Sequence, residues 1–225
     1  HQFAARAMKL NPKLGWSGEG LLATQARSAD WSGALETLSV MRRYDQIDRK
    51  RSDRMRAVAL TASAQALEDS DTDKALQQAT EAHELAPDLV PAAVVAGRIH
   101  ASRGNAGKAI AILQRTWKKA PHPDLVTIYA HVKPGEAVGE RLKRVRELAQ
   151  LAPVHPEGAI AIAATAIEAR DFEAARKTLE SIAGDALTAR VCLLMAKIEG
   201  AEHGDAGRVR EWLSRAARAP SPSAS

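Results

Sequence analysis

The sequence has little cysteine and few aromatic residues. Its 225 residues include one cysteine, Cys192, and only 4% are aromatic. A lone cysteine allows no intramolecular disulfide, and no CxxC pair is present to bind zinc. Cys192 lies in an apolar run at 191–195, where a small buried residue is the expected role. The shortage of aromatic rings indicates a core of Ala, Leu, Ile and Val between closely packed helices.

Signatures of catalysis and of membrane insertion are also missing. The chain contains no G-x-S-x-G, no P-loop and no H-E-x-x-H. No acid–base pair stands out, so the sequence argues against an enzyme and indicates no cofactor or metal. No apolar stretch approaches the roughly 18 residues of a membrane-spanning helix. The period-2 alternation of strands is nearly absent, which leaves helices as the expected elements.

Helical repeats are what the sequence does contain, most clearly at 85–121. Gly104-Asn105 predicts a tight turn between two helices, and Pro87 and Pro121 close the two ends. The spacing of these prolines equals the tetratricopeptide period of about 34 residues. The motif at 96–100 matches the L-G-x2-Y slot of that repeat, and Ala109-x3-Leu113 matches its A-x3-F slot. The segment therefore resembles a tetratricopeptide repeat.

The same period continues along the chain. Asp171-Ala175-Leu179 is followed one full period later by Asp205-Val209-Leu213. Because one helix pair cannot bury its own apolar face, such pairs stack on each other. The sequence predicts an all-α fold, a right-handed α-solenoid of tetratricopeptide-like helix pairs. We expect a single array over 1–218, with a half repeat at 1–12 and pairs at about 15–44, 55–86, 89–120, 124–152, 157–186 and 188–218.

The two ends of the chain differ from the repeats. The chain begins at His1, inside what the pattern indicates is the second helix of a repeat, so we expect it to be a fragment of a longer protein. The tail at 219–225 is rich in Pro and Ser and is expected to be disordered.

A partner-binding groove is expected along the first helices of successive pairs, which line the concave face of such arrays. Projecting these helices yields a mixed, rather apolar surface that suits a helix or apolar segment of another protein. The candidate partner-binding residues are Trp16, Arg27, Leu60, Val94, Arg98 and Ser102.

A basic stretch falls near 44–54, where the repeat spacing lengthens and indicates a short insertion. Seven basic and three acidic residues lie between Arg42 and Arg56, in a chain of formal charge +5. The simplest interpretation is a solvated, salt-bridged helix extension. The alternative is docking to anionic lipid or to an acidic partner. Nucleic acid is not expected, because only Tyr44 offers a ring for stacking. The candidate membrane-proximal residues are Arg42, Arg43, Arg49, Lys50 and Arg51.

Histidines at the corners between repeats raise the possibility of a metal or axial haem site. His122 and His155 each precede a proline, and His131 follows a predicted helix. Corner residues of successive repeats can approach each other. Ordinary helix ends remain the simpler interpretation of these positions.

Beyond the generic repeat, three passages resemble the HemY family of proteobacterial inner-membrane proteins linked to haem biosynthesis. They are 86–130, 144–176 and 190–220, with 117–125 (WKKAPHPDL) and 210–213 (REWL) the more specific parts. The resemblance implies two N-terminal transmembrane helices outside this sequence. It also implies a repeat domain on the cytoplasmic side of the bacterial inner membrane.

Three functions follow as hypotheses. The first is a membrane-tethered scaffold that binds other proteins, including haem-pathway enzymes, in haem or porphyrin biosynthesis. The second is a haem or porphyrin carrier that uses an apolar groove and a histidine. The third is a cell-envelope assembly adaptor with no haem role.

Overall fold

The structure, a computed structural model, describes residues 15–182 and 188–219, with side chains from Ser17 onward. These residues form twelve α-helices and no strand. The helices divide into two compact units, with the division between Ala120 and Pro121. We call them the N-terminal and C-terminal units and describe each by itself. The expectation of one continuous array over 1–218 stays a prediction.

The N-terminal unit contains three helix pairs. The helices are α1 (Gly15–Arg27), α2 (Trp31–Arg43), α3 (Arg49–Leu67), α4 (Thr72–Leu85), α5 (Val90–Ser102) and α6 (Ala106–Trp117). Each helix packs on the next one along the chain, and the first helices α3 and α5 also contact each other. This is the stacking of tetratricopeptide-like pairs in an α-solenoid, and it confirms the expected fold class.

The C-terminal unit repeats the arrangement with three more pairs. The helices are α7 (Pro123–Ala130), α8 (Val138–Ala149), α9 (Pro156–Glu168), α10 (Phe172–Glu180), α11 (Ala189–Glu202) and α12 (Ala206–Arg218). The short α7 is followed by an irregular segment at 131–137. Arg144 of α8 is buried and holds this segment, since its guanidinium donates to the carboxylate of Glu136 and to the carbonyl of Ala130.

Aspartates begin many of these helices. The side chains of Asp30, Asp48, Asp71, Asp171 and Asp205 each accept a hydrogen bond from a backbone N–H in the first turn of the helix that follows. Such caps satisfy donors that have no partner within the helix. The aspartates of the repeat signature therefore mark where helices begin.

The left-handed backbone conformation ends several first helices. Gly104 and Gly204 adopt φ of 74° and 65° before the second helix of their pairs. Ala29 and Arg170 hold the equivalent positions with φ of 54° and 58°. A side chain is disfavoured in this conformation by about 1 kcal/mol or more, so these two turns are held in place by the packing around them.

One boundary differs from the expectation. The first helix of the second pair begins at Arg49, and not near 55, so the second half of the supposed insertion, 49–54, is the first turn and a half of a 19-residue helix. Asp48 caps this helix by accepting from the N–H of Arg51 at 2.9 Å. Arg and Lys are good helix formers, and an aspartate before them suffices to start the helix early.

Small residues let the helices of one pair approach closely. Gly97 on α5 faces Leu113 on α6, and a Cβ built at Gly97 would lie 3.0 Å from Leu113 Cδ2. Ala109 of α6 is fully buried in the same pair. These residues occupy the small positions of the repeat motif, so the small residues of the motif mark where two helix backbones lie close together.

Replacing Gly97 by Val should destabilise the chain by about 1–3 kcal/mol, because the added methyls would overpack Leu113. Gly107→Ala is the matched control. Gly107 lies in α6 with open space around the Cβ position, so alanine there should stabilise by up to about 1 kcal/mol. Urea unfolding of both variants measures the two free energies. Equal effects of the two substitutions would contradict the assigned packing of α5 on α6.

Candidate partner-binding surface

The structure distributes the predicted groove residues over different environments. Arg27 and Ser102 are exposed at the surface, and Val94 is half-buried. The side chain of Trp16 lies outside the described residues. Leu60 is 3% exposed and packs with Ala57 in a core cluster that joins the second and third pairs. Its assignment to the groove is therefore wrong. The apolar side of α3 that the sequence assigned to the groove, with Ala57, Leu60 and Ala64, is the side that packs in the core.

The exposed face of α3 runs along different residues. Val58 is 48% exposed and lies two positions before the predicted Leu60, a rotation of about 200° around an α-helix. We define the first-helix stripe as the surface residues of α3 together with those of α5, the first helix that α3 contacts. Its members are Arg51, Arg54, Val58, Gln65, Val94 and Arg98.

Ion pairs connect first helices of neighbouring pairs along this stripe. Arg51 Nη2 of α3 donates to Glu19 Oε1 of α1 at 3.2 Å. Arg98 Nε and Nη2 of α5 donate to the two carboxylate oxygens of Glu68, directly after α3, at 2.6 and 2.9 Å. The partners are 32 and 30 residues apart, close to the repeat period. Exposed pairs of this kind contribute only about 0–1 kcal/mol each, but they neutralise charge along the stripe.

Arg98 is therefore not available in the way the sequence suggested. An arginine that binds a partner would pair with an acidic residue of it, whereas the guanidinium of Arg98 already makes a bidentate contact with Glu68. A partner carboxylate would have to displace this contact. The apolar members of the stripe, Val58 and Val94, are the side chains without such an intramolecular competitor.

A cleft opens beside the start of α3. It has a volume of about 690 Å³, and its floor is the apolar segment Leu85, Ala86 and Pro87. Arg54 closes one side by donating to both oxygens of Asp88 at 2.8 Å. The cleft thus has an apolar floor and a wall of mostly paired charges, since Asp53 and Asp88 also line it.

The predicted basic patch is partly neutralised. Arg42 pairs with Asp53 at 2.9 Å and Arg49 approaches the same carboxylate at 3.6 Å, while Arg51 pairs with Glu19. Within the described part of the chain, Arg43 and Lys50 have no ion-pair partner. The stretch is thus a salt-bridged helix start that keeps two uncompensated cations.

The corner histidines serve as helix caps. Nδ1 of His122 accepts from the N–H of Asp124, and Nδ1 of His155 accepts from the N–H of Glu157, each at 3.2 Å. His131 Nδ1 lies 3.0 Å from the carbonyl oxygen of Thr127. No group of three or more metal-ligating side chains converges in residues 15–182 or 188–219. The candidate haem or metal ligands are therefore engaged in local structure and are not brought together.

Burial shifts the pKa values of His83 and Cys192. His83 of α4 lies 3.1 Å from the hydroxyl of Thr116, and burial, with a smaller contribution from Arg115, lowers its pKa from 6.5 to about 4. Burial raises the pKa of the Cys192 thiol, which keeps it protonated at neutral pH. Neither environment activates the group toward a substrate. The expected role of Cys192 as a small core residue agrees with its full burial.

The stacked pairs define a class, that of helix-pair repeat proteins. The tetratricopeptide repeat family model matches residues 66–132, which include α4 to α7. Repeats of this family serve generally as protein-interaction scaffolds rather than catalysts. Among the helices of the described residues, none combines the length and apolarity needed to cross a bilayer.

Two known proteins resemble the chain over longer stretches. A protein of Magnetospirillum gryphiswaldense described as a probable magnetosome protein, Mms48, is 31% identical over 163 residues, or 72% of this chain. The chain spans about a third of that curated relative, with 36% of its length covered. A crystal structure of a tetratricopeptide repeat protein from Parabacteroides merdae is 17% identical with a TM-score of 0.49, covering 98% of this chain and 85% of that one.

Acid should destabilise the chain through His83. Because the folded pKa lies near 4 and the unfolded one near 6.5, only the unfolded chain takes up this proton as the pH falls below 6.5. Between pH 7.5 and pH 5 the free energy of unfolding should fall by about 2 kcal/mol. Urea unfolding at both pH values should show a smaller loss of the free energy of unfolding in His83→Gln than in the parent chain. The exposed His203→Gln serves as control and should keep it. An unchanged pH dependence in His83→Gln would contradict the assignment.

Proposed function

We propose that this chain binds segments of other proteins along the first-helix stripe of its N-terminal unit. The exposed valine of α3 and the half-buried valine of α5 supply apolar contacts in the middle of the stripe, and the flanking arginines are held in fixed geometry by their acidic partners. The observation that carries the proposal is this pair of valines in a stripe whose arginines are held by ion pairs. Its occupant is a helix or an extended apolar segment.

The resemblance to the HemY family supports a more specific role. On this basis the chain is the repeat domain of a protein tethered to the bacterial inner membrane, on the cytoplasmic side, where it gathers haem-pathway enzymes. The uncompensated cations Arg43 and Lys50 are compatible with a position near an anionic leaflet. Membrane-spanning segments would belong to parts of the protein outside this sequence.

A second candidate is an assembly adaptor with no role in haem synthesis. The similarity to the probable magnetosome protein of Magnetospirillum favours it, because that relative is named for an organelle and not for a biosynthetic step. The haem-carrier alternative has less support. His122 and His155 use their ring nitrogens as helix caps, and His83 and His100 are buried.

Replacing Val58 by Asp should reduce partner capture about ten-fold, because a charge would be placed at the apolar centre of the stripe. Val154→Asp is the matched control, since Val154 is a fully exposed valine in the C-terminal unit. The measurement is a pull-down from bacterial membranes with quantitative mass spectrometry.

The free energy of unfolding should stay within about 0.5 kcal/mol for both variants, as for other surface changes. Recovery of late haem-pathway enzymes would favour the first role, and recovery of organelle or envelope proteins without them would favour the second. Full partner capture by a folded Val58→Asp variant would rule out the stripe as the binding site.

The basic patch is tested by anionic vesicles. Reversing Arg43 and Lys50 to Glu should weaken binding to vesicles rich in phosphatidylglycerol by at least about ten-fold, because each cation near such a surface contributes roughly 1 kcal/mol. The charge-matched control reverses the exposed Lys118 and Lys119. Co-sedimentation at low and high salt measures both, and binding should fall with salt. If the two double variants lose binding equally, general charge and not the patch governs the contact.

A further inference from the structure

The third helix pair carries an unbalanced positive charge. Between Asp88 and Asp124 the sequence has six basic residues and no acidic one, whereas the whole chain has 32 basic and 27 acidic residues. The formal charge of +5 therefore originates in this segment, and the rest of the chain is close to neutral. Such a concentration of one charge indicates a surface that attracts a ligand of the opposite charge.

Two of the six cations are already used between repeats. Arg98 pairs with Glu68, and Arg103 Nη2 lies 2.8 Å from Asp73 Oδ1. The other four lie on α6 or directly after it, are exposed, and have no ion-pair partner in the described part of the chain. We call these four residues the α6 stripe: Lys108, Arg115, Lys118 and Lys119.

The α6 stripe follows one side of its helix. Lys108 and Arg115 are two turns apart, and the two lysines at 118 and 119 follow after one further turn. The four cations thus extend over about 16 Å along the helix. Ala111, which lies between them on this side, is exposed and small. A partner can therefore approach the backbone of α6 closely.

The fold explains the exposure of these positions but not their charge. One repeat earlier, the equivalent positions of α4 hold Lys74, Glu81 and Glu84. Lys74 and Glu84 are exposed although α4 lies in the middle pair of the N-terminal unit, so stacking on a following pair does not cover this side of a second helix. The two glutamates show that the positions do not require cations for packing.

The charge of the stripe also reaches groups inside the pair. Burial lowers the pKa values of His83 and His100, with smaller contributions from Arg115 to His83 and from Lys108 and Arg103 to His100. Lys108 moreover lies in the first turn of α6, where the helix dipole favours an acidic residue and none is present. The positive potential of the stripe is therefore not cancelled by its surroundings.

Two other anionic occupants fit the stripe less well. A bilayer would gain little beyond charge, because none of the large apolar side chains exposed in the described residues lies on α6. A nucleic acid would find no ring for its bases, because Trp117, the one Trp, Tyr or Phe of the segment, is fully buried. Both are also broad, whereas exposed Glu84 borders the stripe, next to His83, which contacts Thr116 of α6. A narrow row of cations beside a carboxylate favours a narrow ligand.

We infer that the α6 stripe docks an acidic α-helix of another protein, laid along α6 with its carboxylates facing the four cations. Glutamates or aspartates three and four positions apart on that helix match the spacing of the cations. Because the contact is ionic and exposed, it forms fast and weakens with salt. The α6 stripe shares no residue with the first-helix stripe, so the two interaction surfaces fail separately.

The probe is an alanine-based helical peptide, about 18 residues long, with Glu three and four positions apart along one side. A scrambled peptide has the same composition, with its Glu residues distributed around the helix. A lysine peptide has Lys in place of every Glu. Fluorescence anisotropy measures the binding of each peptide to the whole chain at low and at high salt.

We expect the acidic peptide to bind at least about ten-fold more tightly than the lysine peptide and about three-fold more tightly than the scrambled one. Lys108→Glu with Arg115→Glu should weaken its binding about ten-fold or more. The matched control is Lys143→Glu with Lys177→Glu, which changes the net charge equally at two exposed lysines of the C-terminal unit. The control should keep the affinity within about two-fold at high salt, where distant charges are screened.

A quadruple variant separates docking from loss of folding. Reversing all four residues of the α6 stripe to Glu should make the chain prefer the lysine peptide to the acidic one, which an unfolded variant would not do. Circular dichroism and the urea midpoint check that each variant remains folded.

Each remaining outcome overturns the inference. Equal loss of binding in the two double variants, or equal binding of the acidic and scrambled peptides, leaves only general charge attraction. Binding of neither peptide removes the acidic helix as occupant. If phosphatidylglycerol vesicles or duplex DNA bind through the stripe and the acidic peptide does not, the stripe belongs to a membrane or a nucleic acid. A dimer that sedimentation equilibrium shows to be lost in Lys108→Glu with Arg115→Glu assigns it to a second copy. Peptide binding by this chain, but not by a longer natural form of it, assigns the stripe to an acidic segment of the same protein.

Discussion

Close approach of helix backbones is the constraint on which the rest of this structure depends. A single pair of helices leaves one apolar side exposed, and only stacking on the next pair buries it. Stacking requires small residues where helices approach each other. Gly97 is such a residue against Leu113, and Ala75 and Ala79 are such residues in the cluster between the second and third pairs. Once these positions are fixed, both the period of the sequence and the exposed sides of the first helices follow from it.

In such a protein, binding depends on the residues that remain exposed after the helix pairs have stacked. In the N-terminal unit the uncovered residues form a stripe in which charge is compensated internally and valines remain for a partner. In the C-terminal unit the exposed large apolar residues of the last helix pair are Leu193 and Leu213. The exposed residues thus differ in chemistry between the two units, although the helices that present them are built alike.

The sequence was sufficient to predict the helix-pair repeats, but not which residues lie on their exposed surfaces. The spacing of Asp171-Ala175-Leu179 and its copy one period later was sufficient for the helix pairs, because packing acts on positions that recur. The start of α3 was placed near 55 because the repeat spacing set that boundary, although the basic stretch before it was expected to extend a helix. Leu60 was assigned to the groove because an apolar side of a helix suits a partner as well as it suits a neighbouring repeat, and here that side packs in the core. The ion pair between Arg98 and Glu68 was missed too, since its partners lie in different repeats and neither belongs to the repeat motif.

The ion pairs between repeats carry a consequence for how such chains change over time. Glu19 with Arg51, Glu68 with Arg98, and Glu157 with Arg190 each join residues about one period apart. A repeat that is duplicated or exchanged takes only one member of each pair with it and leaves the other facing a new neighbour. The smallest segment that keeps such an ion pair intact is therefore the junction between two helix pairs, and not a single pair. Selection on surface charge then acts on the two residues of an ion pair together.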